Sequence, residues 1–389
     1  MQPKTSVKFD KDTLERHIKT IKFISETKRQ RKNNPYYSMP LPKDIGFQIT
    51  RRCNLRCHFC MLWGNEGSFN PLVQSEREVE LDISAIERVF KDSKEVKSNI
   101  FFWAAEPLIH KNWDDISKII ENDPRWTVLC TNGLLIEKKM ESLLRISENL
   151  ATVVSIDGFQ EDHDIIRGKG MHAKLMHNLD LLFKEQAKGS YKGKVSIHCV
   201  INENLIPHLY EFMEWVESKP FDSIYFIFPW YISETTAQKM DDYYNCNFKW
   251  LDFKNNDSKP SWHYFAYHLP PTMMESLRKE LARLKTRTWN TRIRLQPAVE
   301  DDQLENFVLG DDMPVQQRNC CLSVSTRLDV LADGNVTACQ SFPEFSVGNI
   351  YEKSLLEIWK SAEYDKLRGI IDKGLTPVCS KCVLLYLNS

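Results

Sequence analysis

Short runs of apolar, β-branched and aromatic residues recur along the chain, separated by amphipathic stretches. IGFQIT (45–50), SNIFFWA (98–104), WTVLCT (126–131), ATVVSID (151–157), KVSIHCVI (194–201) and SIYFIFPW (223–230) are almost continuously apolar. Strands buried on both faces read this way. Helical stretches lie between them, over 76–92, 113–122, 137–147, 172–188 and 204–218. The βα alternation predicts a parallel barrel or open barrel, because crossovers between parallel strands are right-handed. TRIRLQP (291–297) is either a late barrel strand or a linker strand. Residues 231–290, rich in aromatics and in Asn, Asp and Lys, break the rhythm and read as an insertion ending in a helix near 272–288.

Composition and charge divide the rest. A chain of 389 residues, 42% hydrophobic and 27% charged, has an ordinary globular balance, and its length suggests two domains or one with an appendage. The formal net charge of −1 gives no field that would draw nucleic acid or an anionic membrane. Residues 1–43, however, hold eleven Lys and Arg against four Asp and Glu, a local net of +7. They form a basic helical extension, read as a solvated helix with an exposed tail or as a docking element for an acidic partner. A barrel is expected over 44–299, and a small C-terminal domain over 300–389, bridged by acidic EDDQLENFVLGDDMP (300–314). No apolar run reaches the roughly 18 residues of a membrane span. The start, MQPKTSVKFDKD, lacks the apolar core of a signal peptide, so a cytoplasmic location is expected.

In a reducing compartment, closely spaced cysteines argue for metal or redox chemistry over disulfides. Cys53, Cys57 and Cys60 stand in C-x3-C-x2-C spacing just after the first strand. Thiolates favour iron–sulfur clusters or zinc. A zinc site needs a fourth ligand nearby, and His58 adjoins Cys57 too closely for joint chelation of one ion. A four-iron cluster on three cysteines leaves one iron open to a chelating ligand, and the loop follows a strand's carboxyl end, where parallel barrels build their sites.

The spacing and position of these cysteines resemble the signature of the radical S-adenosylmethionine (SAM) superfamily. That resemblance implies a partial (β/α)6 TIM-like barrel, a [4Fe-4S] cluster whose open iron takes SAM, and reductive cleavage to a 5′-deoxyadenosyl radical. WAAEPLIH (103–110) resembles the family's GGEP segment, with Ala104 and Ala105 where glycines are usual. By that likeness Glu106 accepts from the SAM ammonium. SIDG (155–158), with HD at 163–164 and Arg167, resembles the segment of sulfatase-maturating and peptide-maturating members. It implies that Ser155 and Arg167 contact the SAM carboxylate and that Asp157 lies near the ribose. TNG (131–133) closes the third strand, as in many members, and is equally well a strand-ending turn.

Near the C-terminus, GNVTAC (334–339) and the segment 346–368 resemble the SPASM or twitch domains that follow such barrels. A full SPASM domain has seven cysteines. Here the sequence offers Cys339, Cys379, Cys382 and one of Cys320 and Cys321, enough for one auxiliary [4Fe-4S] cluster, with zinc as the rival occupant. Cys130 and Cys199 read as packing residues, and Cys246 in the insertion has no assigned role. Trp230, Tyr231, Ser233 and Glu234 are candidates for a polar–aromatic substrate pocket at the end of a barrel strand. The expected reaction is hydrogen abstraction from a substrate C–H bond, ending in oxidation or epimerisation, with a reductase such as flavodoxin or ferredoxin supplying electrons. A sugar, aminocyclitol or similar metabolite is favoured as substrate by Met61 after the third cysteine, where many peptide maturases carry Tyr, and by the absence of a leader-binding strand pattern in the N-terminal arm. A peptide substrate is the alternative, and a non-catalytic zinc scaffold is the reading from another class.

Overall fold

A computed structural model describes residues 2–251, 259–310 and 318–385. The chain opens with a two-residue strand, β1 (Lys4–Thr5), and a long helix, α1 (Lys11–Asn33). The barrel strands follow: β2 (Asp44–Phe47), β3 (Asn99–Phe102), β4 (Thr127–Thr131), β5 (Leu150–Ser155), β6 (Lys194–Val200) and β7 (Ser223–Ile227). Each falls inside or within a residue of its predicted run. Their inter-strand helices, Ile83–Asp92, Trp113–Asn122, Met140–Ile146, Met171–Ala187 and Leu209–Glu217, present apolar faces to the sheet. A further helix, Gln160–Arg167, was not legible, because only His163 and Ile166 are buried along it and it shows no extended apolar stripe.

After β7 the insertion forms the helices Glu234–Asn247 and Met274–Leu284, and then β8 (Thr288–Trp289) and β9 (Arg292–Gln296). β9 pairs parallel with β7, so TRIRLQP is a barrel strand and the helix Met274–Leu284 belongs to its crossover. Three strands close the chain: β10 (Arg327–Val330), β11 (Asn335–Thr337) and β12 (Ser346–Asn349). They do not form a sheet of their own. The order is β12-β11-β10-β2-β3-β4-β5-β6-β7-β9, a single ten-stranded sheet. β10 lies parallel to β2 with Arg327 opposite Asp44 and Val330 opposite Phe47, so the C-terminal strands cap what would otherwise be an exposed barrel edge. Gly46 makes this junction possible. A Cβ there would stand 1.6 Å from Asp329 Oδ1, in the space used by the buried Arg327–Asp329 pair.

The basic arm is less solvated than its composition suggests. β1 pairs with β8, and Gln2 exchanges hydrogen bonds with Leu295 of β9 (2.7 and 2.8 Å). Asp10 then pairs with Lys194 at the start of β6, Arg16 lies over the Trp126 ring just before β4, and Thr20 receives Lys43 just before β2. Finally the buried Arg31 bonds Ser325, Asp372 and the carbonyl of Cys321. α1 is therefore a strap beneath the amino ends of the strands, from one sheet edge to the C-terminal strands. Residues 311–314 of the predicted acidic bridge lie outside the described residues. No described helix is long and apolar enough to cross a membrane.

Candidate active site

The cysteine loop leaves the carboxyl end of β2 and is fixed before any cofactor is considered. Trp63 donates its indole N–H to Arg51 O (2.7 Å), and His58 N–H bonds Ile166 O (3.0 Å). Backbone N–H groups of Leu55 and Trp63 point at the sulfurs of Cys53 and Cys60 (3.5 and 3.4 Å), and Arg167 approaches Cys57 Sγ at 3.6 Å. Burial pushes the Cys53 thiol up to about 12 and raises Cys57. A bound metal centre would make such buried thiols shed their protons. Among the described residues no three His, Cys, Asp or Glu side chains converge as donors to one metal ion. A four-iron cluster binds one thiolate per iron and asks for no such convergence. All three cysteines line a cavity of 1270 Å³ at the strands' carboxyl ends, so the donor set fits a cluster with one side open to a ligand.

The WAAEP loop holds two residues other than glycine in left-handed backbone. Ala104 and Ala105 stand at φ +63° and +46°, the left-handed region that a Cβ disfavours. Glu106 is fully buried and does not face the cavity. Its carboxylate accepts from Thr131 Oγ1 (2.8 Å), Asn132 N–H (2.8 Å) and Leu108 N–H (3.1 Å), while burial raises its pKa to about 7. In the protein as described it ties the second motif to Thr131 and Asn132 of the TNG turn, both on the cavity wall.

Ser155 and Arg167 line the same cavity, whereas Asp157 does not. Asp157 is fully buried, holds Arg167 Nε at 2.6 Å and accepts Val200 N–H at 3.0 Å. The visible task of this ion pair is to aim Arg167. The HD pair is structural. His163 Nδ1 faces Asp157 N–H, and burial lowers its pKa to about 3. Asp164 caps the next turn through Gly170 and His172 N–H.

The insertion residues divide. Trp230 lines the cavity and stacks near Phe265 at 4.9 Å. Tyr231 turns away to pack on His268 (4.7 Å), and Glu234 sits exposed in a helix's first turn, 3.7 Å from His263. They miss the cavity because β7 has already ended and Ser233 starts a helix there. Sequence reasoning missed Gln48, His198 and Gln296, and treated Cys130 as packing; all four line the cavity. Alternation along the barrel strands was the available signal, since every second residue faces the lumen. Cys199, next to His198, is buried, whereas Cys246 is exposed on its helix.

The other thiols assemble near the opposite end of the sheet. Cys339 lies just past β11, whose Thr337 pairs with Asp329, so it stands level with the start of β10. Cys321 feels the charge of Cys379, Cys339 that of Cys379 and Cys321, and Cys382 that of Cys339, Cys379 and Cys321, so these four thiols are neighbours. Burial raises all four, Cys321 to about 12. Thr376 Oγ1 contacts Cys379 Sγ at 3.1 Å.

A barrel with a three-cysteine loop at its mouth, followed by a four-cysteine appendage, is an arrangement with known relatives. Residues 47–216 match the family model of the radical SAM superfamily, and residues 320–383 match that of the SPASM iron-sulfur cluster-binding domain. The chain is a radical SAM enzyme with a C-terminal SPASM domain. It takes SAM and a [4Fe-4S] cluster in the barrel, and iron–sulfur in the C-terminal domain. The S-adenosylmethionine-dependent nucleotide dehydratase of Oncorhynchus mykiss is 27% identical over 41% of this chain and 44% of its own length. A probable GTP 3',8-cyclase of Archaeoglobus fulgidus is 32% identical over 43% of this chain and 54% of its own. The chain thus spans about half the length of these curated relatives. Among solved structures, Streptococcus suis SuiB bound to precursor peptide SuiA superposes with TM-score 0.59 at 14% identity, covering 93% of this chain and 73% of that one, a likeness of fold.

Proposed function

We propose that this enzyme abstracts hydrogen from a C–H bond of a small polyhydroxylated or amino-substituted metabolite, a sugar or aminocyclitol, leading to oxidation or epimerisation. The observation that carries this reading is the lumen behind the three cysteines. Gln48, Ser155, His198 and Gln296 line it, neutral groups that donate and accept hydrogen bonds as hydroxyls and amines require. Burial lowers the pKa of His198 to about 4, which keeps its ring uncharged at neutral pH.

When a cluster and SAM are bound at Cys53, Cys57 and Cys60, they supply a 5′-deoxyadenosyl radical to this lumen. The protein's share is placement. Arg167, aimed by Asp157, would offer a guanidinium to a carboxylate, and Glu106 holds Thr131 and Asn132 of the TNG turn at the cavity wall. The lumen groups fix the target carbon, since loose binding would uncouple cleavage from abstraction. The cavity exceeds the roughly 300–1,000 Å³ of common ligand sites, leaving room for SAM and substrate together.

Peptide modification is the second reading, favoured by the cavity wall continuing onto Asn349 and Glu352 beyond the barrel. Reduced enzyme, SAM and a deuterated aminocyclitol or sugar should yield deuterated 5′-deoxyadenosine. Transfer from a peptide alone, with none from metabolites, would replace the first reading by the second. His198→Ala should reduce deuterium transfer at least tenfold while SAM cleavage without substrate persists.

A further inference from the structure

The outward face of α1 has no partner among the described residues. Leu14, Ile18 and Ile21 are 49, 43 and 63% exposed and follow one another at helical spacing, so they form a single apolar ridge. The inward face accounts for none of them, since Arg16, Thr20 and Arg31 make the contacts to the sheet and to the C-terminal strands. Lys11 and Lys22 flank the ridge, and Lys28 and Lys32 continue it toward the helix end. All four are exposed, and none forms an ion pair among the described residues. The C-terminal end of the helix that carries this face lies beside the second thiol set, because Arg31, on the inward side there, donates to Cys321 O at 3.4 Å.

We propose that this face docks a small acidic one-electron carrier and that Cys321 and its neighbouring thiols are the point of electron exchange. Apolar residues ringed by unpaired lysines fit a partner with an acidic rim around an apolar centre, where charge steers the encounter and the ridge supplies contact area. A membrane surface fits less well, because one helical ridge of three residues, strapped flat against the sheet, has little apolar area to insert. One electron passes from the reduced carrier to the iron–sulfur group held by Cys321, Cys339, Cys379 and Cys382. The carrier is oxidised by one electron, the group is reduced by one, and no atom is transferred.

The electron-exchange half rests on those cysteines holding a cluster; the docking half does not. The test uses the anaerobic holoenzyme and two probes, an oxidised [2Fe–2S] ferredoxin and a flavodoxin, with binding read by interferometry at low and high salt. Wild-type enzyme should bind at least one probe, more weakly as salt rises. The Lys22→Glu/Lys28→Glu/Lys32→Glu variant should bind at least tenfold more weakly, and Ile18→Asp/Ile21→Asp similarly. Both should keep full iron content and normal SAM cleavage with dithionite, which needs no docking. No binding by wild type, equal binding by the variants, or a ridge that binds anionic vesicles or a second copy of the chain instead would overturn the proposal. Loss of iron in Cys379→Ser tests the cluster assignment separately, and zinc there would remove the electron-exchange half while leaving docking to stand or fall on the binding data.

Discussion

The two thiol sets sit near opposite ends of one sheet and are built in opposite ways. Cys53, Cys57 and Cys60 come from one loop at the carboxyl ends of the strands and face a cavity. Cys321, Cys339, Cys379 and Cys382 come from segments far apart in the chain, ahead of β10, beyond β11, and within the single-turn helix Pro377–Lys381 and its cap. The first set needs only a local turn and leaves one side for a ligand. The second can form only once β10 has docked on β2 and the tail has folded back. A metal group there would cross-link distant segments, as structural metal sites do. Chemistry thus sits where the chain is locally organised, and the appendage depends on tertiary assembly.

The sharpest way to break this comparison is to empty each site in turn. Replacing Cys53, Cys57 and Cys60 together by Ala should abolish SAM cleavage and remove about half of roughly eight irons per chain, with little change in melting temperature. Cys382→Ser should leave SAM cleavage without substrate but lower the melting temperature by several degrees. Iron content, 5′-deoxyadenosine formation and calorimetry check both, and an equal thermal loss in both variants would contradict the contrast.

Next in size is the buried ion pair beside the barrel site. Arg167→Met leaves Asp157 charged and buried, so unfolding should become easier by about 3–5 kcal/mol. Adding Asp157→Leu should restore much of that, since the penalty comes from the unpaired charge. Urea midpoints of the two variants decide the point.

Glu106 gives a smaller, pH-dependent effect. Its folded pKa of about 7 lies above that of an unfolded carboxyl, because burial disfavours the charge. Between about pH 4.5 and 7 the folded state therefore holds more protons than the unfolded state, and stability falls as pH rises through that window. The loss is on the order of 3 kcal/mol and levels off above pH 7. Glu106→Gln should flatten the profile measured by urea unfolding at pH 5 and pH 8.

The smallest effect is expected in the neighbouring loop. Ala104→Gly and Ala105→Gly relieve left-handed backbone, so each should stabilise by about 1 kcal/mol or slightly less, the flexibility of glycine in the unfolded chain offsetting part of the gain. Unchanged midpoints would mean the loop carries little strain.

The amino-acid sequence carries the βα rhythm, the cysteine loop, and the candidacy of Ser155 and Arg167 in legible form. Each is local: strand burial writes itself as apolar runs, and a cluster on one loop needs only the C-x3-C-x2-C spacing. It also put Glu106 in its motif, but not the hydrogen bonds to Thr131 and Asn132 that hold it away from the cavity. Tertiary structure alone decided the rest. Cys320 and Cys321 are adjacent and chemically identical, so only the packing of the segment before β10 brings Cys321 to the other thiols. Nor does the sequence show that Asp157 pairs with Arg167 at 2.6 Å. The basic arm reads as a solvated helix because lysines dominate it, yet a few contacts at wide sequence separation, Asp10 to Lys194 and Arg31 to Asp372 among them, lay it under the sheet. Composition averages over such contacts, and only the folded chain shows which few residues of a charged helix face inward.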